Sequence, residues 1–128
     1  MRINPARALT LIAAFGLGAA TIQGLHAQSK PPAYAILEID VNNQDAFLKE
    51  YAPAATKAIE AAGGKFLVRG GKTLAIEGAP PKGRVIVSAY DNLEQAQAAL
   101  ASPAYLEARK SGDKYATFRT FVVEGVAK

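Results

Sequence analysis

Four side chains of this sequence could together bind a small organic acid. Tyr105 and Arg109 stand four residues apart in a helix-forming segment and would share one helix face. Arg69 precedes a double glycine, and Arg119 lies in the last strand-forming segment. Because a guanidinium group binds a carboxylate through two parallel hydrogen bonds, this set predicts a pocket for a carboxylate or an enolate. The alternative is that Arg69 and Arg109 form structural ion pairs at element ends, where long cationic side chains are common.

Two carboxylates are the candidate catalytic residues. Glu38 and Asp40 are two residues apart in a strand-forming segment, so they would project from the same face. In such a pair one carboxyl group can act as the acid and the other as the base, when the surroundings raise one of the two pKa values. The alternative is a solvated strand end with no part in catalysis.

Tyr51 and Ser88 are further candidates for binding a ligand through their hydroxyl groups. Ser88 would share a sheet face with Tyr34 and Tyr90. These three residues could bind a ligand, or they could lie in a dimer interface, and the interface is the reading we favour.

The composition excludes several kinds of site. The chain has no cysteine, and its only histidine is His26, which falls in a segment that we expect to be removed. Serine-histidine-aspartate triads, cysteine-histidine pairs and zinc sites are therefore not expected. The sequence also carries no nucleotide-binding fingerprint. We predict a protein with no metal and no tightly bound cofactor.

Residues 1–27 have the features of a secretory signal peptide. Arg2 and Arg7 precede the apolar run 8–20, which is shorter than the roughly 20 residues of a membrane span. A small residue, Ala27, then offers a cleavage site. We expect export by the general secretory route to the periplasm or the exterior, with an uncleaved membrane anchor as the alternative.

Removing this segment leaves a linker over residues 28–33 and then the domain. The net charge falls from +4 to +2, because Arg2 and Arg7 are lost. A charge this small, spread along the chain, is a poor match for nucleic acid. We expect neither nucleic acid nor, after cleavage, a membrane as a partner.

The remaining sequence carries alternating strand and helix patterns. Apolar residues recur at every second position in five segments, which are 34–41, 65–69, 72–77, 84–91 and 117–124. Helical spacing marks three segments, which are 44–62 with a kink near Pro53, 93–101 and 103–110. The predicted caps of these helices are Asn42 or Asn43, Asn92 together with Gln95, and Ser102 followed by Pro103.

The stretch from Lys65 to Glu77 predicts a tight hairpin. Two alternating segments are separated by Gly70 and Gly71 alone, and two-residue hairpin turns need positive φ angles. A phosphate-binding loop would require a helix after the glycines, whereas a strand pattern follows them. Gly70 and Gly71 are therefore predicted to form a structural turn.

The order of these elements predicts an α+β domain over residues 34–126. A strand, a helix, two strands, a helix pair and a strand make up the split βαβ, or ferredoxin-like, sandwich, an antiparallel sheet with helices on one face. We expect the helical crossovers to join parallel neighbours and the central hairpin to be antiparallel.

The sheet face without helices is predicted to be largely apolar. Strict alternation assigns to it Tyr34, Ile36, Glu38, Phe66, Val68, Ile86, Ser88 and Tyr90. Such a face is unfavourable in water, and a second copy could cover it. The sequence thus predicts a two-fold homodimer through the open sheet face.

Ordered short motifs resemble the domain of unknown function 1330 family over roughly residues 34–126. They are "GGKFLVRGG" at Gly63–Gly71, "IEG" at Ile76–Gly78, Asp91-Asn92, "SPAYLEAR" at Ser102–Arg109 and "VVEG" at Val122–Gly125. The resemblance implies a dimeric α/β-barrel relative, in a group that includes cofactor-free monooxygenases, small isomerases and haem-handling enzymes. It implies no particular reaction. The signal peptide and the alanine-rich "AQAALAS" segment depart from the family pattern.

Two functions follow from these observations. The first is an exported homodimer that binds a small acidic or aromatic ligand without converting it. The second is a cofactor-free isomerase or monooxygenase that uses carboxylate, tyrosine and arginine side chains. A buried Glu38 or Asp40 facing an arginine would favour the enzyme, whereas exposed carboxylates and a cavity filled by Phe66, Tyr51 and Tyr105 would favour binding.

Overall fold

The computed structural model describes residues 30–127, so the expected signal peptide lies outside the described residues. In chain order the strands are β1 Ala33–Val41, β2 Lys65–Arg69, β3 Arg84–Tyr90 and β4 Ala116–Glu124. Helix α1 follows β1 and consists of Gln44–Ala46, a π-helical turn Phe47–Tyr51 and Ala52–Ala61. Helices α2 Leu93–Leu100 and α3 Pro103–Gly112 lie between β3 and β4.

The four strands form one sheet in the order β2-β3-β1-β4, and every neighbouring pair is antiparallel. The predicted ferredoxin-like α+β fold with an antiparallel sheet is confirmed. The expected parallel neighbours are wrong, because each helical crossover passes over a strand. β3 lies between β1 and β2, and β1 lies between β3 and β4. Strands joined by a helix therefore run in the same direction without touching.

The helices cover one face of the sheet and enclose the core. On β1 the helix side carries Ala33, Ala35, Leu37 and Ile39, all at most 1% exposed. Helix side chains complete this core, with Phe47, Tyr51, Ile59, Ala96 and Tyr105 all buried. Small alanines on the helices let the backbones approach the sheet closely.

The predicted helix caps form as local hydrogen bonds. Asn43 accepts from the Ala46 backbone N–H at 3.2 Å, and the Asn92 side chain accepts from the Gln95 N–H at 2.8 Å. Gln95 returns a bond by accepting from the backbone N–H of Asp91 at 2.7 Å. Each cap satisfies backbone donors that a helix start leaves without an internal partner. Of the two asparagines proposed for the first helix, the cap is thus Asn43.

The phase of β3, meaning which of its alternating side chains face the helices, was predicted wrongly. Cross-strand pairing sets Ile86, Ser88 and Tyr90 opposite the helix-facing residues of β1, so these three side chains point into the core. The open face instead carries Val85, Val87 and Ala89. Both faces of this strand are mostly apolar, so alternation alone could not decide between them.

A bulge in β2 divides that strand between the two faces. Phe66 pairs with Ser88 on the helix side, which makes its predicted place on the open face wrong. The register shifts between Phe66 and Val68, and Val68 then pairs with Val87 on the open face as predicted. Leu67 occupies the bulge and is 60% exposed.

The predicted hairpin between Lys65–Arg69 and Lys72–Glu77 is wrong. β2 pairs with β3, and residues 70–83 connect them without forming a strand. Leu74 and Ile76, which produced the strand pattern, are 83% and 81% exposed. Gly70 has a positive φ of 70° and ends β2, whereas Gly71 does not have positive φ. The alternating residues of Lys72–Glu77 therefore join no sheet, and the pattern does not correspond to a strand.

The open face carries apolar side chains that are partly exposed. Phe121 and Val123 of β4 are 41% and 46% exposed, and they pair with Ile36 and Tyr34 of β1.

Among residues 30–127, no helix is both long enough and apolar enough to cross a membrane.

Candidate functional site

Helix α1 is irregular at the point where it meets the sheet. In the π-helical turn Phe47–Tyr51, the Ala52 N–H donates to the carbonyl of Phe47, five residues earlier. Pro53 follows directly and has no N–H to donate, which makes a regular turn at this point unfavourable. The irregularity thus lies near the kink predicted from Pro53. Turns of this kind occur frequently at functional sites.

The π-helical turn places two aromatic side chains against the sheet. Phe47 and Tyr51 are both buried, and their ring centroids are 4.9 Å apart. Beside them a cavity of about 50 Å³ separates α1 from the helix-facing side of β1, β2 and β3. Its walls are mainly apolar, and its polar groups come from Tyr51, Thr56, Arg69 and Arg84.

Arg69, one of the predicted ligand-binding residues, lines this cavity. Its Nη2 donates to Thr56 Oγ1 at 2.7 Å, and its guanidinium carbon lies 4.5 Å from the centroid of the Phe66 ring. Both contacts orient the guanidinium across the mouth between β2 and α1. The bulge after Phe66 turns the end of β2 so that Arg69 reaches this side of the sheet.

Arg84, which the sequence analysis did not select, lines the same cavity from the start of β3. Its guanidinium carbon lies 5.7 Å from the centroid of Phe47. Gly70 is also close to this guanidinium, because a Cβ added at Gly70 would lie 2.6 Å from Arg84 Nη2. The Arg84 Nε is buried and has no hydrogen-bond partner within the described part of the chain. A glycine at position 70 is therefore required for this guanidinium to occupy its place.

The wrong phase of β3 explains why Arg84 was missed. Arg84 pairs with Ile39, so it belongs to the helix-facing side rather than the open face. The signal that could have found it is the pairing of β3 with β1, since Ile86 and Leu37 must share one face.

Apart from the cavity, a cluster of buried hydroxyl groups lies between the helices and the sheet. The hydroxyls of Tyr51 and Tyr105 are 3.5 Å apart, and Ser88 Oγ donates to the Tyr90 hydroxyl at 3.1 Å. Burial is the main cause that raises the pKa of Tyr51 above its ordinary value, and the neighbouring Tyr105 raises it further. Burial also raises the pKa of Tyr90, against the opposing effect of its bond with Ser88. The phenols of Tyr51 and Tyr90 are therefore neutral at physiological pH.

Arg109 is held at the edge of this cluster by its own helix. Its Nη2 bonds Asp113 Oδ1 at 2.8 Å, and its guanidinium carbon lies 3.8 Å from the centroid of Phe118. Burial lowers the pKa of Arg109, but Asp113 and Tyr105 outweigh it and the pKa is raised. Tyr105 and Arg109 thus share a helix face, as the sequence predicted. Arg69 does not join them, because it lines the cavity between α1 and the sheet. Tyr51 connects the two sites, since it lines the cavity and its hydroxyl adjoins that of Tyr105.

The remaining predicted residues lie on the opposite side of the sheet. Glu38 forms an ion pair with Arg119 on the open face, where the two residues pair across β1 and β4. Asp40 is exposed on the same face. Neither carboxylate nor Arg119 reaches the cavity. Within residues 30–127, no three His, Cys, Asp or Glu side chains are grouped so that they could hold a metal ion.

Several solved structures are similar in fold. A protein of unknown function from Rhodopseudomonas palustris matches with a TM-score of 0.62 and 15% identity, over 86% of this chain and 94% of its own. SnoaB, a cofactor-independent oxygenase from Streptomyces nogalater, matches with a TM-score of 0.55 and 17% identity, over 77% and 96%. A proposed antibiotic biosynthesis monooxygenase from Nitrosomonas europaea matches with a TM-score of 0.50 and 16% identity, over 77% and 93%.

At these identities the likeness shows the fold alone. No curated protein matches the sequence. The sequence profile of the domain of unknown function DUF1330, in contrast, matches residues 32–126, which is most of the chain. The family resemblance found in the motifs is confirmed, and the chain belongs to the DUF1330 family.

Proposed function

We propose that this protein is an exported homodimer that binds a small organic ligand in the cavity between α1 and the sheet. The observation that carries the proposal is the pair of arginines, Arg69 and Arg84, at one mainly apolar cavity. Apolar walls with a few converging polar groups are the usual composition of a small-molecule site. The π-helical turn at the wall of this cavity supports the same location.

The side chains around the cavity favour binding over turnover. The lining contains no Asp, Glu or His, so the described residues place no side chain there that accepts a proton near neutral pH. Tyr51 is neutral near neutral pH, and burial raises its pKa further from that range. Glu38 and Asp40, the candidate acid and base, belong to the other face of the sheet.

Support for the dimer comes from the open face. Ile36, Val85, Val87 and Phe121 project from it side by side on three adjacent strands. In a monomer this apolar surface would face water, and burying it against a second copy is favourable by about 25 cal/mol per Å². Pairing the two open faces leaves both cavities free, because these lie beneath the helices.

Support for export comes from the signal-peptide pattern of residues 1–27. The family profile begins at residue 32, after this pattern. Export would deliver the binding domain without the segment that holds His26.

Native mass spectrometry of the protein recovered from an exporting host tests these proposals together. The expected species starts near Gln28, has the mass of two copies and carries a small adduct that dissociates on activation. A monomer would refute the dimer, and an intact N-terminus would refute cleavage. A dimer that retains no member of a panel of small acidic and aromatic compounds would refute the binding function.

The same panel distinguishes binding from the oxygenase alternative. SnoaB is described as a cofactor-independent oxygenase, so aromatic acids are incubated with the protein in air and then analysed by liquid chromatography. We expect every compound to be recovered unchanged. An oxygenated product that requires the protein, and that is lost in Arg84→Met, would establish turnover instead.

A further inference from the structure

We infer that the ligand is a short-chain monocarboxylate and that Arg84 is the residue that anchors its carboxylate. This inference rests on the proposed function, since it assumes that the cavity between α1 and the sheet is the binding site. It goes further by naming the chemical class of the ligand and by assigning different tasks to the two arginines.

Arg84 is positioned as a fixed anion receptor. Its guanidinium carbon lies 5.7 Å from the Phe47 ring centroid and its Nη2 lies so close to Gly70 that a Cβ there would collide with it, so the group has limited room to move. Its Nε is buried and unpaired among the described residues. A buried donor without an acceptor is unfavourable, and a carboxylate that accepts from the guanidinium edge would satisfy it.

Arg69 is positioned as an adjustable second donor. Its bond to Thr56 is exposed and joins a guanidinium to a neutral hydroxyl, which a charged oxygen can replace. No ion pair formed within residues 30–127 includes Arg69 or Arg84. Two cations without a carboxylate partner therefore adjoin one cavity, and a single anion between them would lower their mutual repulsion.

The size and walls of the cavity limit the rest of the ligand. A water molecule occupies about 10–15 Å³ of such space, so the 50 Å³ present accepts about four non-hydrogen atoms. Leu37, Phe47 and Phe66 contribute apolar surface to the walls. A tail of about two to four carbons matches this space when the carboxylate lies at the mouth beside the arginines, whereas a benzene ring would extend out of it.

Isothermal titration calorimetry with the full mature dimer tests the inference. The probes are butyrate, its neutral isostere butyramide, benzoate and benzamide. We expect butyrate to bind, and butyramide and benzoate to bind about tenfold more weakly or not at all. Arg84→Met should weaken butyrate by about tenfold or more, and Arg69→Met by less. Lys110→Met, which removes an exposed positive charge on α3, away from both the cavity and the open face, is the control and should leave the affinity unchanged.

Several outcomes would overturn the inference. Equal affinity for butyrate and butyramide would refute the carboxylate class, and a larger loss in Arg69→Met than in Arg84→Met would refute the anchor. Binding of benzoate or benzamide without butyrate would refute this inference and leave the proposed binding function standing. If none of the four probes binds, both fail. Should Arg84→Met not fold by circular dichroism, Arg84→Lys retains the charge without the planar fork and should still lose affinity.

Discussion

At the scale of single residues, the two arginines of the cavity differ in how far the sequence predicts them. Arg69 was a candidate because it precedes Gly70 and Gly71, and it does line the cavity. Arg84 was not, because β3 is apolar on both faces and its phase could not be read from alternation. The candidates Glu38 and Arg119 were assigned to different sites, and only the cross-strand register shows that they pair with each other on the open face.

The buried phenol of Tyr51 predicts a loss of stability in alkali. Its pKa is raised by burial, so the folded protein keeps the proton to a higher pH than the unfolded chain does. The contribution is fully present below pH of about 10, the ordinary value for tyrosine, and is lost as the pH rises further. One such proton changes the free energy of unfolding by about 1.4 kcal/mol per pH unit in that range.

Tyr51→Phe isolates this effect. We expect its free energy of unfolding to fall less steeply than that of the wild type above pH 10, while the two proteins show parallel curves between pH 7 and 9. All other titrating groups are common to both, so the difference reports the phenol. Urea unfolding followed by circular dichroism at each pH measures it, and identical slopes above pH 10 would contradict the account.

At the scale of elements, local signals predicted the helices well and the central connection badly. Asn92 and Gln95 cap α2 through bonds between near neighbours, so the sequence alone suffices for them. β2 instead pairs with β3, which begins only after the connection 70–83. Alternation in Lys72–Glu77 is a local pattern, but strand formation requires a partner that a local pattern does not specify.

Gly70→Ala tests the role of the turn after β2. Its φ of 70° disfavours a side chain, and a Cβ would collide with the guanidinium of Arg84. We expect a loss of about 1–2 kcal/mol in the free energy of unfolding and a weaker affinity for the ligand. Chemical denaturation and titration calorimetry measure the two effects.

Gly71→Ala is the matched control for this turn. A Cβ at Gly71 meets no atom within 4 Å, and its backbone does not have positive φ. We expect a change within about 0.5 kcal/mol and an unaltered affinity. Equal effects of the two substitutions would show that Gly70 makes no special contact with Arg84.

At the scale of the whole molecule, the helix-covered face and the open face separate two tasks. The cavity lies on the covered face, whereas the apolar residues proposed for the dimer lie on the other. The existence of an open face was predictable from the element order, which supplies helices for one side only. Its composition was not, because the phase of β3 and the bulge at Leu67 exchange several side chains between the faces.

Phe121→Lys should convert the dimer to a monomer. Phe121 is 41% exposed on the open face of β4, an edge strand on which lysine is well tolerated in a monomer. Within a dimer interface the same charge would lose its water, and the nearby carboxylate of Glu38 is already paired with Arg119. Analytical ultracentrifugation measures the change, and Leu106→Lys, at a site that is 51% exposed on α3, should remain a dimer. Two variants of equal mass in solution would exclude the open face as the interface.

The most direct test of the account is a nuclear magnetic resonance titration of the mature protein with butyrate that follows both the arginine Nε–Hε signals and the backbone amide signals. The account predicts the largest shifts at the Arg84 side chain, then at Arg69 and the Thr56 amide, all of which adjoin the cavity. Arg119 and Glu38, which lie across the sheet, should not respond. Shifts centred on the open face, or an Arg84 signal that is unchanged while other residues respond, would contradict a carboxylate site between α1 and the sheet.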